Sequence, residues 1–129
     1  MTRQRPAFWP RNREDAIRRA VFEHLRVSGE RGYAFHPANG GWCSPIEAAI
    51  LKGLGVCAGV PDVIAIKDGR AFALELKPLG GRLTMAQNDA HAALRAAGAN
   101  VVTGYGVNEA LAQLEAWGLL WGQSSGILP

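Results

Sequence analysis

Two short stretches carry residues able to do chemistry together, Pro61-Asp62 and Glu75-Leu76-Lys77. Between them, Lys67-Asp68-Gly69-Arg70 contains an Asp-Gly pair, the composition that favours a two-residue type I′ hairpin turn. With that turn Lys67 faces Arg70, and counting outward sets Asp62 opposite Glu75. Opposed Cβ atoms in an antiparallel pair lie about 4.5–5.5 Å apart, where like charges destabilise. Lys77 projects to the same face as Glu75, two residues on. Two carboxylates and an ammonium thus gather at one end of an otherwise apolar strand pair. Carboxylates sharing such a space must lose a proton or gain a cation. A hard divalent ion such as Mg²⁺ or Mn²⁺ takes carboxylate oxygens and leaves room for water and a phosphate oxygen. The adjacent lysine can orient or deprotonate an attacking water, or neutralise charge building on phosphate. The plainer alternative is an edge-strand charge cluster in which Lys77 only pairs one acid.

The elements that must position these groups read as one α/β domain spanning 1–129. Arg13 to Val27 is a predicted helix, with Ile17, Ala20, Val21 and Leu25 on one stripe, Asn12 as N-cap, and Glu14 and Asp15 in the first turn. Tyr33 to His36 is a short strand. Ser44-Pro45-Ile46-Glu47 has the form of a capping box opening a helix to Leu54. Val63 to Ile66 and Ala71 to Leu76 form the hairpin. Thr84-Met85-Ala86-Gln87 is a second capping box, for a helix closing near Gly98. Asn100 to Tyr105 is a strand, and Asn108 is expected to cap a last helix through Trp117. Residues 1–12 form a basic arm and 119–129 a tail, whose Leu119-Leu120-Trp121 cluster, with Trp117, either forms a dimer surface or folds back on the core.

Composition narrows the function classes. Hydrophobic residues make up 48% and charged residues 19%, which excludes a disordered chain. No apolar run approaches the ~18 residues of a membrane-spanning helix, and the Arg- and Pro-containing start is no secretory signal, so a cytoplasmic protein is expected. Cys43 and Cys57 read as two reduced core thiols. Residues 1–31 hold eight arginines and four acids, whereas 32–129 hold six bases and seven acids. Such an arginine cluster suits phosphate, or serves only as a solvated basic face. Arg3, Arg5, Arg11 and Arg13 are the leading DNA-binding candidates, and Phe8 and Trp9 can anchor the arm or stack on an unpaired base. His36 can contact a phosphate or cap its loop. His24 and His91 read as ordinary helix residues.

Pro61-Asp62 with Glu75-Leu76-Lys77 is the PD-(D/E)xK nuclease motif. Its surroundings, His36 to Gly41 (HPANGG), Leu51 to Val63 (LKGLGVCAGVPDV) and Glu75 to Gln87 (ELKPLGGRLTMAQ), resemble the VRR-NUC family of that superfamily, and Arg13 to Leu25 resembles its opening helix. The likeness covers roughly residues 13–115. It implies a restriction-endonuclease-like core, a mixed β-sheet flanked by helices. It implies that Asp62, Glu75 and the backbone carbonyl of Leu76 hold Mg²⁺ or Mn²⁺, with Glu14 completing the shell. Lys77 would be the catalytic lysine, and Gln87 would stand at the active site as well as in its capping box. Asn39 falls in the loop expected to meet DNA, although Trp42-Cys43 follows where members often carry a basic residue. The stand-alone small members resemble Holliday-junction resolvases and pair as homodimers. The resemblance therefore implies a metal-dependent endonuclease acting on branched DNA, a junction or flap, in DNA repair. Two alternatives are a catalytically silent nucleic-acid-binding module and a core-only subunit whose partner supplies targeting. The silent module is disfavoured because Asp62, Glu75 and Lys77 are all present.

Overall fold

The computed structural model describes residues 13–29, 32–37 and 44–121. In chain order these form α1 (Arg13–Ser28), β1 (Tyr33–Phe35), α2 (Pro45–Gly53), β2 (Val63–Lys67), β3 (Arg70–Lys77), α3 (Met85–Ala96), β4 (Asn100–Tyr105) and α4 (Val107–Ala116). The strands make a four-stranded sheet in the order β1-β2-β3-β4. β2 runs antiparallel to β1 and β3, and β4 runs parallel to β3. A parallel pair needs a crossover, which α3 provides. This mixed sheet with flanking helices is an α/β fold consistent with the restriction-endonuclease-like core.

The hairpin register is the expected one: Lys67 pairs with Arg70, and the ladder continues to Val63 with Leu74. Asp68 and Gly69 have φ of 51° and 75°, the two positive values that a type I′ turn requires. Pairing stops one residue short of Asp62, which lies in a bend before β2. That bend frees its carboxylate to turn toward β3 instead of standing opposite Glu75.

One face of the sheet carries the core. Val63, Ala65, Phe72, Leu74 and Leu76 pack with Ile17 and Val21 of α1 and with Ala110 and Leu114 of α4. Leu119 and Leu120 join the same core, with Phe72 and Trp117 rings 5.2 Å apart, so the first residues of the expected tail fold back on their own domain. Trp121 alone of that cluster is exposed. On the opposite face α3 packs against β4 and covers Ala73, Glu75 and Val101.

The caps explain most helix boundaries. Ser44 Oγ accepts from the Glu47 N–H, one half of the expected box, and Thr84 with Gln87 makes the full reciprocal box. α4 differs from expectation. Gly106 at φ 87°, not Asn108, is its N-cap, because the Gly106 N–H is already spent on the Lys77 carbonyl and β4 turns directly into the helix. Cys57 is exposed and is not a core thiol; Cys43 lies outside the described residues, as does the expected cap Asn12. Among the described residues no helix is long and apolar enough to cross a membrane.

Candidate active site

The site forms at the end of β2 and β3 that also meets the start of α1. β3 continues past the end of β2, which leaves the Leu76 N–H without a strand partner. Asp62 supplies one: its Oδ2 accepts from the Leu76 N–H at 2.9 Å. A residue in an extended strand aims its N–H and C=O at the same edge, so the Leu76 carbonyl also points to the Asp62 side. Gly59, at φ 76°, fixes the approach to Asp62. A Cβ there would stand 2.3 Å from the Ala86 carbonyl, so only glycine lets this loop press on the start of α3.

Glu75 and Lys77 share a face of β3 and are both buried, Glu75 to 2% exposure. Glu75 Oε1 lies 3.1 Å from His91 Nε2, and that histidine is equally buried at 2%. Burial, then hydrogen bonding and repulsion from Asp62, push the Glu75 carboxyl up to about 9. Burial acts on Asp62 in the same sense, yet its bond with Glu75, the Leu76 N–H and the Arg18 guanidinium outweigh it and hold Asp62 below the usual carboxylate range. Burial and the Arg95 charge lower the basicity of His91, so a neutral imidazole faces Glu75. The pair thus shares one proton: Asp62 is ionised and Glu75 is not.

Arg18 Nη2 donates to Asp62 Oδ1 at 3.0 Å, and its Nη1 donates to Asp15 Oδ1 at 3.3 Å. Lys77 Nζ donates to Glu14 Oε1 at 3.2 Å. His36 Nδ1 donates to the Asp62 backbone carbonyl at 2.7 Å; a carbonyl only accepts, so the proton sits on Nδ1.

The structure therefore gathers Asp62, Glu75, Leu76, Lys77, Glu14 and His36, and adds Arg18 and His91, which sequence reasoning missed. Glu14 is placed on Lys77 and not on the carboxylate pair. Among the described residues no three His, Cys, Asp or Glu side chains stand together as a metal cluster. Gln87 Oε1 accepts from the Thr84 N–H, the capping role. Arg13 is exposed at the start of α1, and Arg3, Arg5, Arg11 and Asn39, with Phe8 and Trp9, lie outside the described residues. A signal for His91 was available. A helix that follows β3 directly must pack back onto it, and His91 lies one turn from Leu94 on the side α3 buries.

The donors fit a hard divalent cation. Two carboxylates and a carbonyl are all oxygen, and a buried acid that keeps its proton to about 9 beside an ionised neighbour is a pair one positive charge short. A hollow of about 730 Å³ between α1 and β1, lined by Arg19, Phe22, Arg26, Tyr33, Ala34 and Leu119 among others, includes none of these groups.

No protein-family model matches the chain. No curated protein matches it either. Among solved structures, one described as a VRR_NUC domain protein superimposes with a TM-score of 0.66 at 26% identity, covering 81% of this chain and 86% of that one. That likeness in fold over most of both chains, together with the motif residues gathered at one strand end, supports the assignment to the VRR-NUC family.

Proposed function

We propose that this chain is a divalent-metal-dependent endonuclease that hydrolyses phosphodiester bonds in DNA, with branched DNA as its substrate. The observation that carries the reading is the Asp62–Glu75 pair, with Glu75 buried and Asp62 half-buried, short of one positive charge, and set near the Lys77 ammonium. Asp62, Glu75 and the Leu76 carbonyl are the groups that would hold Mg²⁺ or Mn²⁺. A cation there supplies Lewis acidity toward the phosphodiester and makes water more acidic.

The chain's own residues do the rest. Lys77, held by Glu14, presents a fixed positive charge where negative charge develops on phosphate. His91 orients Glu75 from behind, the outer support that ligating carboxylates usually have. His36 holds the Asp62 backbone in its bend. The preference for branched DNA rests on the family resemblance. Incubation with four-way junction, flap, single-stranded and linear duplex DNA tests it, each with Mg²⁺, Mn²⁺ or EDTA. Cleavage of junction or flap with metal, and none in EDTA, is expected. Binding without cleavage in every lane would favour the silent binding module.

We also propose a homodimer. Ile46, Ile50 and Leu54 recur every four residues along α2 and its cap at 75%, 58% and 76% exposure, and no residue of α2 is buried. The sheet face that α3 leaves open shows Tyr33, Phe35 and Ile66. Among the described residues the chain thus carries an uncovered helix stripe and an uncovered sheet patch, which a second copy can cover. Molar mass in solution at micromolar concentration tests this. Twice the chain mass is expected, falling to one chain mass in Ile50→Asp.

A further inference from the structure

We propose that Arg18 is a further catalytic residue, a phosphate-gripping arginine parked on Asp62 until a metal takes its place; this rests on the nuclease reading. The two oxygens of Asp62 are held in different ways. Oδ2 is fixed by the Leu76 backbone N–H, part of the sheet itself, whereas Oδ1 is held by a side chain that can move. The Arg18 head is partly open to solvent, with 29% of the side chain exposed.

Its present position leaves the guanidinium incompletely used. Nη2 serves Asp62 and Nη1 serves Asp15, yet Nε is buried with no hydrogen-bond partner. A buried donor left unpaired points to an oxygen that the bound state supplies. With a divalent cation held at Asp62 the guanidinium would be repelled, and Asp15, one turn back on α1, would keep it beside the site. Nε and the released Nη2 then offer two parallel donors, the fork that matches two phosphate oxygens. Arg18 also follows Glu14 by four residues, so α1 directs both toward the same end of the sheet. Lys77 acts from within, on Glu14, and Arg18 from the open side.

The alternative is a brace that only holds Asp62 in place, and the two differ in sign. The experiment measures Mn²⁺ affinity by electron paramagnetic resonance without DNA, and junction cleavage at saturating Mn²⁺, for wild type, Arg18→Met and Arg18→Lys. Removing a competing cation should tighten Mn²⁺ binding severalfold in Arg18→Met, while kcat falls by about a hundredfold, as for loss of one transition-state donor. Arg18→Lys keeps the charge, so Mn²⁺ binding should stay near wild type and part of kcat should return. Weaker Mn²⁺ binding by folded Arg18→Met would show a brace and overturn the proposal, and so would unchanged kcat. Should Arg18→Met fail to fold, Arg18→Lys still decides, since wild-type kcat with Mn²⁺ affinity reduced as for a lost brace contradicts the parked arginine. A wild-type protein that neither binds Mn²⁺ nor cuts would instead remove the nuclease reading.

Discussion

The two halves of one sheet face behave in opposite ways. Where α3 covers β3 and β4, even a carboxylate and an imidazole are sealed in, and Glu75 and His91 meet at 2% exposure each. Where none of the described residues covers β1 and β2, Tyr33, Phe35 and Ile66 stand open, and among the described residues α2 leaves its own apolar stripe exposed. The candidate active site lies along the boundary between them. The contrast teaches that polarity and burial are inverted on this one face: the covered half hides titratable groups, and the open half shows apolar surface suited to a partner.

The sharpest way to break this comparison is at the polar groups along its boundary. Asp62→Asn and Lys77→Ala should each lower cleavage by about 10³-fold or more with far-ultraviolet circular dichroism unchanged, since each removes a group aimed at the reacting phosphate. Asp62→Asn cutting at the wild-type rate would end the site assignment. His91→Ala comes next. Its loss leaves Glu75 without outer support, and Mn²⁺ affinity measured by calorimetry should fall by about 10- to 100-fold. A variant binding as tightly as wild type would make His91 a packing residue only.

Stability should divide along the same line. Leu74→Ala opens a cavity in the covered core and should cost about 2–5 kcal/mol in urea unfolding. Ile50→Ala removes more exposed apolar surface yet should shift the monomer by no more than about 0.5 kcal/mol. Equal losses would mean that α2 is packed within its own chain. The smallest effect concerns the basic start. Deleting residues 1–11 removes Arg3, Arg5 and Arg11, and the slope of log affinity against log salt should flatten by up to about 2.7. An unchanged slope would place the phosphate contacts elsewhere.

How far the sequence could be read follows the same division between local and non-local information. The hairpin register was legible because Asp68-Gly69 needs only its own backbone to choose a turn. The capping boxes at Ser44 and Thr84 were legible for the same reason, as local hydrogen bonds. That α2 buries none of its residues among those described was not, because a cap starts a helix without naming what covers it. The C-terminal Leu119-Leu120 pair could be read two ways until the core showed room for it. Asp62 was expected opposite Glu75 in the ladder, but pairing ends at Val63, and its bend, which aims Oδ2 at the Leu76 N–H, depends on β2 ending early. Arg18 was one of eight arginines in the first 31 residues, and only the packing of α1 over the strand ends singles it out.

The shared proton of Asp62 and Glu75 gives a stability signature with a definite sign. The folded Glu75 carboxyl is raised from the usual range near 4.5 to about 9, so its contribution is fully present below 4.5 and is lost as pH climbs through that window. Asp62 acts in reverse and only in acid, because its folded value is lowered. Glu75→Gln should flatten the alkaline loss. Asp62→Asn should flatten it only in part, since burial, the largest cause of the Glu75 shift, remains, and it also gives up the ion pair with Arg18.

The most direct test that this pair is a divalent-cation site is the thermal midpoint of wild type from pH 5 to 9, with EDTA and with Mn²⁺. Without metal the midpoint should fall steadily across that range. With Mn²⁺ it should hold or rise, because the cation replaces the proton that Glu75 gives up. A midpoint that falls equally in both conditions, or one that Mn²⁺ raises just as much in Glu75→Gln, would contradict the assignment.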